Sequence, residues 1–244
     1  MNLKFRTAFL SDKGGRKTNE DYCESLSYNG FFCWVVADGL GGHSSGEIAS
    51  KTAVRSIIES FRNNQSVETK TIRGYIESAS DAISGLIKEE PEKADMMTTV
   101  VILISDTKKA VWGHVGDSRL YLFRDGRVLS QTKDHSLVQK LLDIGEINRQ
   151  EMRSHPYRNR LLSAVGGERV VKFTLLDNPI ELMKGDAFLL CTDGLWEYVS
   201  EIEMIADLAR SLNPDDWLKQ LQRRVVSRAK ARHDNYTAIA ITTD

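Results

Sequence analysis

Apolar residues along this chain follow two rhythms. Phe31 to Ala37, Met96 to Ile104, Val111 to Gly116 and Ala187 to Cys191 are short, nearly continuous apolar runs rich in β-branched and aromatic types. Runs of that length and composition predict buried strands. Tyr236 to Thr242 alternates and predicts a further strand, residues 1 to 10 a short first one, and Asp125-Gly126 between Tyr121-Leu122-Phe123 and Val128-Leu129 a hairpin turn. The second rhythm is helical. Ala49, Ala53, Ile57 and Phe61 recur every four residues behind Ser44 and Glu47 at capping-box spacing, and Ile72, Tyr75, Ile76, Ala79, Ile83, Leu86 and Ile87 alternate steps of three and four. Residues 170 to 200 return to strands around Pro179. Residues 201 to 230 read as two helices divided at Asn213-Pro214, the second with Trp217, Leu218, Leu221 and Val225 on one face.

The order is therefore strands, paired helices, strands, paired helices, strand. An α+β fold of two sheets packed face to face, with helices on the outer faces, accommodates it. One domain spanning 1–244 is expected. Residues 136 to 166 change character within it: a short helix, a stop at Gly145, a second short helical piece, then His155-Pro156. Arg149, Arg153, Arg158 and Arg160 crowd this segment, as either a solvated charged face or a mobile flap that binds an anionic partner, and both readings stay open.

Composition narrows the class. A 244-residue chain that is 41% hydrophobic and 27% charged is ordinary for a globular protein, and a net charge of −1 offers no electrostatic case for nucleic acid or an anionic membrane. The first residues lack the apolar core of a signal peptide, and no segment approaches the roughly 18 to 20 apolar residues of a membrane span. Of the three cysteines, Cys33 and Cys191 lie in apolar runs, which predicts buried reduced thiols and a cytoplasmic protein. Nothing suggests a tether, so a monomer is expected.

Candidate chemistry sits where the strands end. Asp38 follows the run at 31–37 and precedes Gly39, Gly41 and Gly42, which leave backbone carbonyls open beside a carboxylate that is costly to desolvate alone. Asp117 and Asp193 close two further runs, and Asp234 with Asn235 stands just before the last strand. One Asp-Gly after a strand is an ordinary turn; four carboxylates at strand ends suggest a site for a hard cation, Mg²⁺ or Mn²⁺. Zinc is disfavoured, because the cysteines and five histidines show no paired ligand spacing. In the polar loop 11–21, Arg16 is a planar fork suited to phosphate, a few residues from Glu20 and Asp21, which could hold metal-bound waters. His135, between Asp134 and Ser136, reads as a hydrogen-bonding structural residue in preference to a catalytic one.

The motifs GGRKTNED (14–21), VADGLGGHSSGE (36–47), MTTVV (97–101), VGDSRLY (115–121), TKDHSLVQ (132–139), HPYRN (155–159), GDAFLLCTDGLW (185–196) and DNYTAIAI (234–241) occur in one order over essentially the whole chain. In this the sequence resembles the metal-dependent protein serine/threonine phosphatases of type 2C, in their compact bacterial form. The resemblance implies an αββα sandwich of two antiparallel sheets between helical layers. It also implies that Asp38 bridges two metals, that Gly39 offers its carbonyl, and that Asp193 and Asp234 complete the first site. Glu20, with Asp21 beside it, would contact the second metal through water, and Asp117 would share a third, weaker one with Asp193. Arg16 matches the phosphate-binding arginine and His43 a candidate general acid, with metal-bound water as the alternative acid. Met97 departs from the family's small residue, and Leu162 and Ser163 replace its usual Thr-Arg pair, which places flap packing and substrate choice in question.

The activity implied is hydrolysis of phosphoserine or phosphothreonine esters by a metal-activated water, without a protein nucleophile, on protein substrates of a serine/threonine kinase. The alternatives are a phosphoprotein-binding or partner-switching module without turnover, which would be expected to lack a metal carboxylate, and a hydrolase of small phosphate esters.

Overall fold

The computed structural model describes residues 3–42, 45–166 and 171–244. Two antiparallel sheets form its centre. In chain order the strands are β1 (Phe5–Asp12), β2 (Asp21–Tyr28), β3 (Phe31–Leu40), β4 (Met97–Thr98), β5 (Val100–Ser105), β6 (Lys109–Val115), β7 (Arg119–Arg124), β8 (Arg127–Gln131), β9 (Val165–Gly166), β10 (Thr174–Leu175), β11 (Ile180–Glu181), β12 (Ala187–Cys191) and β13 (Tyr236–Thr243). The first sheet runs β1-β13-β12-β7-β8. The second runs β10-β6-β5-β3-β4-β9, with β2 on β3 and β11 on β6. Helices α1 (Ser45–Asn63) and α2 (Thr69–Glu89) cover the second sheet; α5 (Asp193–Trp196), α6 (Glu201–Arg210) and α7 (Pro214–Arg228) cover the first. Helices α3 (Leu137–Asp143) and α4 (Arg149–Ser154) belong to the 136–166 segment.

The period-2 alternation of strands explains why the runs are apolar throughout. Trp34 and Val36 of β3 point between the sheets, where Val101, Leu103, Leu120, Leu122, Phe188, Leu190, Ile239 and Ile241 meet them. Cys33, Val35 and Ala37 point the other way, into the layer under α1 and α2. Strands β7, β12 and β13 divide likewise, with Tyr121, Leu189 and Ala240 turned to α6 and α7. Each central strand thus serves two cores, and a polar position inside it would be buried whichever way it faced.

Several local expectations are refined. The run 96–104 is broken at Thr99 into β4 and β5, because Thr98 and Thr99 turn their hydroxyls to the backbone of Asp38. Strand β2 adds to the expected strands: it pairs only with β3, lies half-buried along most of its length, and carries no clean alternation. The one-turn helix α5 emerges straight from β12. Ser44, half of the expected capping box, lies outside the described residues. No helix among the described residues is long and apolar enough to cross a membrane.

Register carries the ends of these strands to one side of the sandwich. Asp12 of β1 faces Tyr236, Cys191 of β12 faces Ala238 and Arg119, and Asp21 of β2 faces Asp38. The acids that the sequence singles out lie at that end, in the strand ends, the loops and the start of α5.

Candidate functional site

A cavity of about 220 Å³ opens at this end, lined by Arg16, Glu20, Asp38, Gly39, Asp117, Asp193 and Asp234, together with Asn235, Asn159 and Leu161. Asp21 lies behind it as the cross-strand partner of Asp38. Seven of the eight predicted positions in the described residues therefore share one cavity wall, and the eighth is directly behind. His43 lies outside the described residues.

The turns that carry Asp38 and Asp117 are clamped and tied together. The N–H of Asp38 donates to Thr99 Oγ1 (3.0 Å), while its carbonyl accepts from Thr99 N–H and from Thr98 Oγ1 (both 2.8 Å). Thr99 Oγ1 also bonds Ser118 Oγ at 2.7 Å, which ties the Asp38 turn to the Asp117 turn. Trp196 Nε1 donates to the carbonyl of Asp117 (3.0 Å), and the Arg119 guanidinium stacks 3.5 Å from the centre of the Trp196 ring. Arg119 in turn grips Asp134 through Nε and Nη2, each at 2.8 Å, with both side chains buried. Gly39 donates to the Glu20 carbonyl (3.1 Å) against the start of α1 so closely that a Cβ there would fall 2.0 Å from the Gly46 carbonyl oxygen. Only glycine fits that approach.

Asn235 does more than its place beside Asp234 suggested. Its Oδ1 accepts from Glu20 N–H, and its Nδ2 donates to the carbonyls of Lys13 and Thr18. One side chain therefore pins the 13–20 loop to the start of β13 and sets where Arg16 and Glu20 stand. Arg16 Nη2 donates to Asp234 Oδ2 at 2.7 Å.

Electrostatically the site is unfinished. Asp21 and Asp38 are like charges directly opposite on neighbouring strands, an arrangement that destabilises a sheet unless something offsets it. Asp21 Oδ1 and Asp193 Oδ1 are buried without any donor. Burial pushes the Asp21 and Asp117 carboxyls up to about 7, and it raises Asp38 and Asp193 well above the ordinary range, with neighbouring acids adding to both. Glu20 is also raised by burial, with Arg16 opposing. Orphaned anionic oxygens, an all-oxygen donor set and a glycine cradle fit a hard divalent cation. Among the described residues no three acidic, histidine or cysteine side chains yet converge as a chelating group. Uncompensated carboxylates that repel one another are expected to stand apart in this way.

His135 has the structural role expected. Its Nδ1 accepts from Gly116 N–H (3.2 Å), Nε2 faces Thr174 Oγ1 (2.8 Å), and its ring stacks on buried His114, with burial and that neighbour lowering it to about 4. The arginines of the 136–166 segment are mostly committed elsewhere: Arg153 to Glu201, Arg158 to Glu197, and Arg160 over the Tyr157 ring. The segment contributes Asn159 and Leu161 to the cavity, while Arg149 and Arg160 stay exposed. Burial pushes the Cys191 thiol up, which removes it as a nucleophile.

Residues 14–233 match the family described as protein phosphatase 2C. The chain is 36% identical over 215 residues to a serine/threonine phosphatase, stp, of Listeria welshimeri, covering 84% of this chain and 81% of that protein. It is 33% identical over 202 residues to the serine/threonine protein phosphatase PstP of Mycobacterium tuberculosis, covering 82% of this chain but only 38% of the relative. Among solved structures, the Staphylococcus aureus serine/threonine phosphatase Stp1 superposes with a TM-score of 0.89 at 29% identity, over 100% of this chain and 98% of that one. The catalytic domain of PstP in complex with two manganese ions superposes with a TM-score of 0.84 at 27% identity, over 99% of both chains.

Proposed function

This chain belongs to the protein phosphatase 2C family, and we propose that it hydrolyses phosphoserine and phosphothreonine monoesters of proteins at a centre of divalent cations. The carrying observation is the acid-lined cavity at one end of the sandwich, where Asp21 and Asp193 keep buried oxygens free of any donor beside Arg16. In this reading Asp38, with the Gly39 carbonyl, Asp193 and Asp234, would hold a first cation and, with Glu20 and Asp21, a second. Asp117 and Asp193 offer a third, weaker position. Mg²⁺ and Mn²⁺ both suit such oxygens, and the manganese-bound PstP relative supports the divalent class.

When bound, the cations supply a water acidified toward neutral pH and positive charge opposite the phosphoryl oxygens. The chain's residues do the rest. Asp234 holds the Arg16 guanidinium at the cavity mouth through one N–H, which leaves its other donors for the phosphoryl group. Thr98 and Thr99 fix the Asp38 peptide, and Asn235 fixes the loop that carries Arg16 and Glu20, so the backbone that carries these groups is set before substrate arrives. Asn159 and Leu161 wall one side and restrict the approach. Among the described residues no serine, threonine or cysteine lines the cavity, so the phosphoryl group would pass to water, whose proton the surrounding carboxylates can take, and the serine or threonine oxygen would leave as the alcohol. His43 is the proposed proton donor to that oxygen, and a water in the site is the alternative donor.

Substrates are phosphoproteins made by a serine/threonine kinase. Cys23, Cys33 and Cys191 are unpaired, which supports a reducing, cytoplasmic setting, and the protein acts as a monomer. The reading is tested by comparing a phosphoserine peptide with a small aryl phosphate. A kcat/KM for the peptide well above that for the aryl ester is expected; the reverse order would favour a hydrolase of small esters.

A further inference from the structure

A second cavity, of about 420 Å³, adjoins the first and shares Arg16 and Glu20 with it; its other walls are Gly15, Lys17, Thr18 and Arg232. Two basic loops make this wall. One carries Lys13, Arg16 and Lys17, the other Lys230 and Arg232. They are held against each other: Gly15 N–H donates to the His233 carbonyl (3.1 Å), and a Cβ on Gly14 or Gly15 would fall 2.2 Å from the Asp234 carbonyl oxygen or 2.3 Å from that of Ala231. Such close backbone contact forces five cationic side chains into one region.

The local acids offset them only in part, Glu20 being the one carboxylate among the described residues that lines this cavity. Asp234 is taken by Arg16 and Asp12 accepts from Gly14 N–H. Among the described residues Lys13, Lys17, Lys230 and Arg232 have no ion-pair partner. Lys17 and Arg232 are exposed and line the cavity itself. Two cations without an ion-pair partner beside Arg16, the phosphoryl-binding group of the proposed function, create a local potential that favours a second anion.

We infer that Lys17 and Arg232 form a second anion subsite, which selects phosphoprotein segments bearing a carboxylate or a second phosphoryl group near the scissile phosphoresidue. An extended segment advances about 3.3 Å per residue. With the scissile phosphoryl at Arg16, a side chain one or two positions away therefore reaches the adjoining cavity. The inference rests on the phosphatase reading and adds to it a rule for choosing substrates.

The test compares three otherwise identical phosphopeptides, whose flanking position is neutral, glutamate or phosphoserine, together with an aryl phosphate. The protein and its Lys17→Ala/Arg232→Ala variant are assayed for turnover and, by fluorescence anisotropy, for peptide binding. Two exposed charge pairs imply a preference of about tenfold in kcat/KM for anionic flanks at low salt, shrinking as ionic strength rises. The variant is expected to lose that preference while turning over the aryl ester as before. A larger effect for phosphoserine than for glutamate would identify phosphoryl as the favoured anion. Equal kcat/KM for all three peptides, or a preference retained by the variant, would overturn the subsite and leave the phosphatase reading intact. Absence of all turnover, with anion-dependent binding that the variant loses, would overturn the phosphatase reading and support the subsite.

Discussion

Asp21 offers a sharp test of the idea that the site is built around missing positive charge. Its carboxyl is 6% exposed, faces Asp38 across the β2–β3 pair, and is pushed up to about 7 by burial, only partly offset by the hydroxyls of Thr192 and Thr237. In an unfolded chain the same group titrates near 3.9. The folded protein therefore binds this proton more tightly than the unfolded one. The stability so gained is fully present below about pH 4 and is lost as pH rises through 7. Two-state linkage puts the loss between pH 5 and pH 8 at about 2.5 kcal/mol, or roughly 5 to 10 °C in melting temperature for a chain of this size. The perturbation is Asp21→Asn, a neutral side chain of the same shape, compared with the parent by calorimetry in chelator across that range. The parent is expected to lose stability with rising pH more steeply than the variant by about that amount, and Mn²⁺ to stabilise the parent more at pH 8 than at pH 5. Parallel pH profiles for the two proteins, or a steeper fall in the variant, would refute the reasoning.

Three substitutions probe the supports of the site. Thr99→Val leaves the Asp38 N–H without an acceptor and Ser118 without a partner; a loss of about 1–3 kcal/mol is expected, with kcat falling more than KM rises and Thr99→Ser restoring most of both. Arg119→Met strands the buried Asp134 carboxylate and is expected to cost roughly 3–5 kcal/mol in urea unfolding. The Arg119→Met/Asp134→Leu pair should regain most of that. Gly39→Ala puts a methyl group against the Gly46 and Glu20 carbonyl oxygens; calorimetry should show a loss of roughly 1–3 kcal/mol, accompanied by weakened Mn²⁺ binding.

The sandwich was legible in the sequence because its central strands are buried on both faces and so appear as unbroken apolar runs. Strand β2 was not, since an edge strand with half-buried residues on both faces carries no periodic signal. The acids could be found by their position after such runs. Their clamps could not: Asn235 acts on a loop 215 residues away in sequence, and the interruption at Thr99 looks like one more β-branched residue until its hydroxyl is seen to hold Asp38. Charge density likewise marked the 136–166 segment without showing that Glu197 and Glu201 neutralise Arg158 and Arg153. The short helix α5 was hidden because the four residues Asp193-Gly194-Leu195-Trp196 are too few to show a helical period.

On the proposed function these carboxylates, once loaded with a divalent cation, make the chain a phosphoprotein phosphatase. The most direct test is release of phosphate from a phosphoserine peptide by the purified protein in Mn²⁺, in chelator, and with Mn²⁺ restored, beside Asp193→Asn. Turnover that disappears with chelator, returns with metal and is lost in the variant is the predicted result. Metal and phosphopeptide binding without turnover in the parent protein, or near-normal metal-dependent turnover in Asp193→Asn, would contradict it.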